Sequence, residues 1–163
     1  MSDSTIRIKH KRSDIWEELV DEHSIFDTYI DMFVFTGCVG YYNNEYAVDF
    51  KSDNDDENGE ILWMHLSNKD LFRASMAAIA YQHTGDPEAL VQPKTQLQVM
   101  AQFAVGGAQI IRDELSSVKG DPTDTLINYI QNHYDPDQQK EQESELNRIL
   151  KSFDSDMMDM ESD

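Results

Sequence analysis

Thr5-Ile6-Arg7-Ile8-Lys9-His10-Lys11, with Arg12 behind it, is the stretch on which the reading of this chain turns. Apolar and cationic residues alternate in it with period two, the spacing of a strand and not of a helix. Ile6 and Ile8 then point to one face, and Arg7, Lys9 and Lys11 to the other. Directly afterwards the period lengthens. Asp14 is placed to cap a helix, with Glu17 three residues on as the second half of a capping box. Ile15, Trp16, Leu19 and Val20 would form its apolar face. His23-Ser24-Ile25-Phe26 breaks it, and Thr28 is the expected N-cap of a second helix carrying Ile30, Phe33, Val34 and Cys38 inward. Gly37 and Gly40 are expected to weaken the end of that helix. The run from Phe33 to Tyr42 is too apolar for a free surface and has to be buried, in this chain or against a partner.

Further along, Lys51-Ser-Asp-Asn-Asp-Asp-Glu-Asn-Gly59 reads as an acidic loop. Asp53, Asp55 and Glu57 alternate as in a calcium loop, but Asn58 stands where the turn glycine belongs and Met64 where the bidentate glutamate belongs. Tyr46–Phe50 and Ile61–Leu66 could be the two strands of a hairpin, or the second could begin a helix. Beyond Asn68 the pattern is helical. One helix is expected from Asn68 to about Gln82, the longest over roughly 95–118 and a last core helix over about 122–133. Gly85-Asp86-Pro87 and Gly120-Asp121-Pro122 punctuate them, glycine suiting a helix end, aspartate an N-cap and proline a first turn. Gly106-Gly107, inside the longest helix, implies the close approach of a neighbour. Past Pro136 hydrophobic residues thin out. Leu146, Ile149, Leu150 and Phe153 form one amphipathic patch, and a tail is expected, helical over 138–153 and disordered beyond, or else folding on a partner. The sequence therefore reads as mostly α with a short N-terminal β-strand. The expected divisions are a strand-helix-helix unit over 1–50, an acidic loop over 51–60, a helical domain over 61–134 and an acidic tail over 135–163.

Composition narrows the function. In 163 residues, 32 acidic side chains face only 13 Lys and Arg, for a formal charge of −19. Such a field repels nucleic acid and anionic membranes. Scarce lysine and acids spread along the chain also fit a salt-loving cytoplasm, where molar salt shortens the Debye length to roughly 3 Å. No run of 18 or more apolar residues is present, so no membrane helix is expected. The opening Met-Ser-Asp-Ser is not that of a secretory signal, and a lone cysteine fits a reducing cytoplasm. His10, His23, His65, His83 and His133 never share helical metal-site spacing, so no metal or cofactor is expected. Cys38 lies on an apolar helix face and reads as an inert thiol. Nucleophile-elbow, nucleotide-cradle and dinucleotide motifs are absent from the sequence. Nothing argues for catalysis.

Four of the 13 cations nevertheless lie in one strip, Arg7 to Arg12. A basic strand followed by two short helices is similar to the order of ribbon-helix-helix DNA binders. There, two chains pair their strands into a ribbon that enters the major groove. The likeness implies Ile6 and Ile8 toward a dimer core, and Arg7, Lys9, Lys11 and Arg12 toward DNA. Backbone N–H groups near Thr28 would meet a phosphate, although Asp27 and Asp31 beside them oppose it. The competing reading is an edge strand whose lysines block aggregation.

A second likeness covers much of residues 5–132. Trp16-Glu17-Glu18-Leu19, Phe26-Asp27-Thr28-Tyr29-Ile30-Asp31-Met32-Phe33-Val34-Phe35 and Gly40-Tyr41 resemble small accessory proteins encoded with DNA phosphorothioation (Dnd-type) systems. So do Thr84-Gly85-Asp86-Pro87, Ala104-Val105-Gly106-Gly107-Ala108-Gln109-Ile110-Ile111 and Gly120-Asp121-Pro122. The resemblance implies an accessory or regulatory role in modification and restriction of DNA, and supplies no catalytic residues. The expectation is a non-enzymatic protein contacting DNA as a homodimer through its basic strand. The alternative is a subunit that docks onto a larger restriction or modification enzyme without touching DNA itself.

Overall fold

The computed structural model describes residues 6–133 and 148–152. The order is β1 (Arg7–Lys11), α1 (Asp14–Trp16, continuing as a π-helical stretch Glu17–Glu22), α2 (Tyr29–Tyr42), β2 (Asn58–Leu62), α3 (Met64–Ser67), α4 (Asp70–Thr84), α5 (Pro93–Ser117) and α6 (Pro122–His133). Short 3-10 turns sit at Asp55–Glu57 and Pro87–Leu90. The protein is thus mostly helical, with a two-stranded antiparallel sheet near its start. The chain divides into two units, Met1–Pro122 and Thr123–Asp163.

The sheet departs from the expected hairpin. β2 pairs with β1, Arg7 opposite Leu62 and Lys11 opposite Asn58, and Tyr46–Phe50 is not a strand. Residues 45–50 find other partners for their backbone. Ala47 N–H donates to the Gln102 carbonyl of α5 (3.0 Å), and the Phe50 carbonyl accepts from Lys11 N–H (2.8 Å). The second apolar stretch splits, Ile61 entering the sheet and Met64–Ser67 turning into a helix.

α1 also starts differently from its expected cap. Ser13 holds the N-cap position without a capping bond to the helix backbone, its hydroxyl donating to the Asp14 carboxylate (3.2 Å), and Asp14 forms an ion pair with Arg112 of α5. The helix then widens, His23 N–H reaching back five residues to the Glu18 carbonyl (2.9 Å). Ile15, Trp16 and Leu19 are buried as their spacing requires.

α2 and α5 form the centre of the first unit. α2 buries Met32, Phe33, Val34, Thr36, Gly37, Val39 and Gly40, so it is enclosed on most of its circumference. The Thr36 hydroxyl satisfies itself by donating to the Met32 carbonyl (2.8 Å). Its glycines do not end it; they let the two helices meet. A Cβ on Gly107 would run into the Thr36 carbonyl, one on Gly40 into the Phe103 carbonyl, and one on Gly106 into the Glu45 carbonyl. One on Gly37 would meet only the Met100 thioether. Leu97, Met100, Ala104, Ala108 and Ile111 are buried along α5 as their period predicts.

The other punctuation follows the sequence. Gly85 ends α4 in the left-handed region at φ 68°, and the Asp86 carboxylate accepts from Glu88 N–H (3.0 Å) at the start of the Pro87–Leu90 turn. α6 opens on Pro122, and within the second unit the Tyr129 and His133 rings lie 4.1 Å apart. Residues 148–152 are helical, with Ile149 and Leu150 exposed. The rest of the expected 138–153 helix, Leu146, Phe153 and the acidic ending lie outside the described residues.

Candidate functional site

β1 brings the basic strip to the surface, as alternation requires. Ile8 and His10 turn inward while Arg7, Lys9 and Lys11 share the outer face. The strand's pairing lies within the chain. Trp63 N–H donates to the Ile6 carbonyl (2.9 Å) and Arg12 N–H to the Glu57 carbonyl (3.0 Å), so one edge of β1 belongs to the β2 side. The opposite edge is closed at Lys11 by the Phe50 carbonyl. Ile6 and Ile8 are each half-buried.

The acidic segment 49–60 lies against this strip. Arg7 faces Glu60 (3.6 Å), and Lys11 faces Asp49 (4.0 Å) while donating to its backbone carbonyl (3.2 Å). Lys9 donates to both carboxylate oxygens of Asp55 (2.9 and 3.0 Å). The hydrogen bond and charge of Lys9 hold the Asp55 carboxyl below its usual range. Arg12 differs from the others. Its guanidinium donates to the Asp56 backbone carbonyl (3.0 Å) and has no carboxylate partner among the described residues.

Thr28 is the N-cap of α2, accepting from Asp31 N–H (3.2 Å) while its hydroxyl donates to the Asp31 carboxylate (3.0 Å). That helix start therefore already carries an acidic side chain in its first turn, the charge its dipole favours. Beside it the Tyr29 hydroxyl donates to Asp21, a bond that raises its pKa. A cavity of about 330 Å³ opens between Arg12, Trp16, Tyr29 and Glu57. The Trp16 and Tyr29 rings stack at 5.9 Å across it.

His10 is the residue whose role the alternation hides. It is fully buried, 4.7 Å from the Trp16 ring and 5.3 Å from Phe33. Its Nδ1 lies 3.0 Å from the Lys11 carbonyl, and its Nε2 has no partner among the described residues. Burial, helped by the Arg12 charge and opposed by the Lys11 carbonyl, lowers its pKa from 6.5 to about 4. The ring is a neutral core group. Cys38 is half-buried, and burial raises its pKa, which makes it a weak nucleophile. No group of three or more His, Cys, Asp or Glu among the described residues could hold a metal ion. No helix there is long and apolar enough to cross a membrane.

Residues 5–149 match the family model of DNA sulphur modification system-associated protein 4. The chain belongs to that family. The membership accords with the resemblance carried by the Trp16–Leu19, Phe26–Phe35 and Ala104–Ile111 stretches. It ties the protein to DNA sulphur modification systems in an associated role. No curated protein and no solved structure matches the chain.

The structure thus gathers Arg7, Lys9 and Lys11 on one face, sets the Arg12 side chain beside Gly59 and His10 instead, and places Thr28 in a cap with its own carboxylate. Sequence reasoning missed the partners of the strip. The signal was available in charge alone, since the densest acidic run, Asp53–Glu57, had no assigned counterpart. It also missed His10, which occupies an inward position of the same alternation that identified the strand.

Proposed function

We propose that this chain is a non-enzymatic accessory subunit of a DNA sulphur-modification system, docking onto a DNA-handling protein of that system and leaving DNA contact to it. One observation carries the reading: three of the four strip cations lie against carboxylates of the same chain, and the fourth against a backbone carbonyl. What remains is a molecule of net charge −19, whose field opposes a polyanion and attracts a basic protein surface. Proteins that grip DNA carry such surfaces to neutralise phosphates. The chain works in the cytoplasm, with the genome. Its acidity is tuned to concentrated salt, so docking there rests on short-range contacts more than on the long-range field.

Co-expression with each modification and restriction protein of the system in turn, followed by size-exclusion chromatography with mass detection, tests this. A stable, DNA-free complex with one of them is expected. Elution as an isolated chain beside every one of them sinks the reading.

A second reading is supported by Arg12 and by the exposure of the strip. Exposed ion pairs are worth about 0–1 kcal/mol, so phosphates can displace them. In that reading a homodimer presents Arg7, Lys9, Lys11 and Arg12 to DNA, with Thr28 near the backbone. A solution mass at high salt bears on its dimeric half: a strict monomer at working concentration removes it.

A further inference from the structure

Where α2 ends and the chain turns back over α5, a groove of about 620 Å³ opens beside Gly106. Its floor is apolar and half-buried, lined by Ala47, Val105 and Ile110. Its wall is the turn over residues 43–47, and that turn is rigidly placed. Asn44 takes the left-handed conformation at φ 53°, a sharp reversal that an asparagine tolerates. Glu45 N–H then donates to the Gly40 carbonyl (2.8 Å), and Ala47 N–H to the Gln102 carbonyl (3.0 Å). The Glu45 carbonyl packs so closely on Gly40 and Gly106 that a Cβ on either would strike it. The Tyr46 ring meets Phe103 (5.5 Å) and His83 (5.0 Å) at steep angles, yet remains 43% exposed.

Two carboxylates line the same groove, Glu45 from the turn and Asp113 from α5. Both residues are exposed, and neither has a cationic partner among the described residues. Asp113 accepts from Gln109 Nε2 (3.0 Å), a neutral donor one turn earlier on the helix, which orients the carboxylate and leaves its charge uncompensated. Here the groove differs from the surface around β1, where Asp49, Asp55 and Glu60 meet cations of their own chain.

An apolar floor, an accessible aromatic ring and two reachable carboxylates without a counter-charge describe a ligand that is itself amphipathic: a cation on an aliphatic stem. We propose that this groove receives a lysine or arginine side chain from the basic surface of the partner protein. The stem lies along Val105 and Ile110, and the cationic head meets Glu45 and Asp113 beside the Tyr46 ring. A phosphate is repelled by both carboxylates, and a purely apolar side chain desolvates them without compensation. The inference rests on the docking reading and gives that docking a place.

The test uses the full-length isotope-labelled chain and the peptide acetyl-Leu-Arg-Leu-Arg-Leu-amide, followed by NMR at physiological ionic strength. A citrulline analogue keeps the stem and loses the charge. The arginine peptide should shift the backbone amides of Ala47 and Gly106 and the Gln109 side-chain amide, and should bind more tightly than the analogue. Glu45→Gln with Asp113→Asn removes both charges at exposed positions and keeps the shape, and should weaken binding roughly tenfold. Glu22→Gln with Asp27→Asn removes the same charge outside the groove and should leave the affinity unchanged. Equal losses in the two double variants, equal affinity for the citrulline analogue, or shifts confined to other surfaces overturn the proposal. A complex with a protein of the system that survives Glu45→Lys with Asp113→Lys overturns the groove and leaves the docking reading standing. Peptide in the groove with no such complex overturns the docking reading and leaves the groove as a site for basic side chains.

Discussion

The α2–α5 crossing and the β1 strip are both held by residues far apart in sequence, but by opposite kinds of force. At the crossing, backbone meets backbone: Gly107 lies under the Thr36 carbonyl and Gly40 under Phe103, with no space for another atom. At the strip, long side chains reach carboxylates at 2.9 to 4.0 Å in contact with water. The first arrangement is steric and unscreened, so it tolerates almost no change. The second is electrostatic and solvated, so each pair contributes little to folding and can be exchanged for another partner. A fold can thus be rigid beneath a surface whose charges remain negotiable.

The largest expected effect is at the crossing. Gly107→Val should destabilise the chain by about 3 kcal/mol or more, because the clash is with backbone that cannot rotate away. Urea unfolding measures it, and a loss under about 1 kcal/mol would mean that the helices separate easily.

Acid should come next. The buried His10 ring takes a proton only near pH 4, whereas in the unfolded chain it does so near 6.5. The unfolded state binds the extra proton between those values, so stability present above pH 6.5 declines as pH falls toward 4. The decline amounts to about 3 kcal/mol for this group. His10→Phe keeps a ring between Trp16 and Phe33 and should remove that part of the slope while leaving the carboxylate part. An identical slope in both proteins would place the ring in water.

Gly37→Ala should cost about 1 kcal/mol, less than Gly107→Val, because it meets the flexible Met100 side chain. Equal costs at the two glycines would erase the distinction between backbone and side-chain contact within the crossing. Smallest is the strip itself. A double-mutant cycle on Lys9→Ala and Asp55→Ala should give the weakest coupling of all, one that disappears in molar salt. A larger coupling that persists in salt would make the strip a structural element like the crossing.

The same contrast explains what was legible in the sequence. Local signals sufficed for the helices: the three- and four-residue period of Leu97 to Ile111, and Gly85-Asp86-Pro87 between two elements. Gly106-Gly107 announced a close neighbour without naming α2. The partner of β1 was not legible, because pairing Arg7 with Leu62 depends on which apolar face the folded chain leaves uncovered. α1 escaped its expected capping box for a similar reason, Asp14 being taken by Arg112 nearly a hundred residues away. At the candidate site, the cations were readable from alternation and their neutralisation was not. Glu45 and the groove it lines gave no signal at all, since one more glutamate in an acidic chain is ordinary.

The central claim is that the strip is satisfied within the chain and does not grip DNA. The direct measurement is fluorescence anisotropy of a short duplex, with and without phosphorothioate linkages, at low ionic strength. It compares the full-length chain with its Arg7→Ala, Lys9→Ala, Lys11→Ala triple variant. Little or no saturable binding, the same for both proteins and both duplexes, is the predicted result. Saturable submicromolar binding by the native chain, lost in the triple variant, would contradict it.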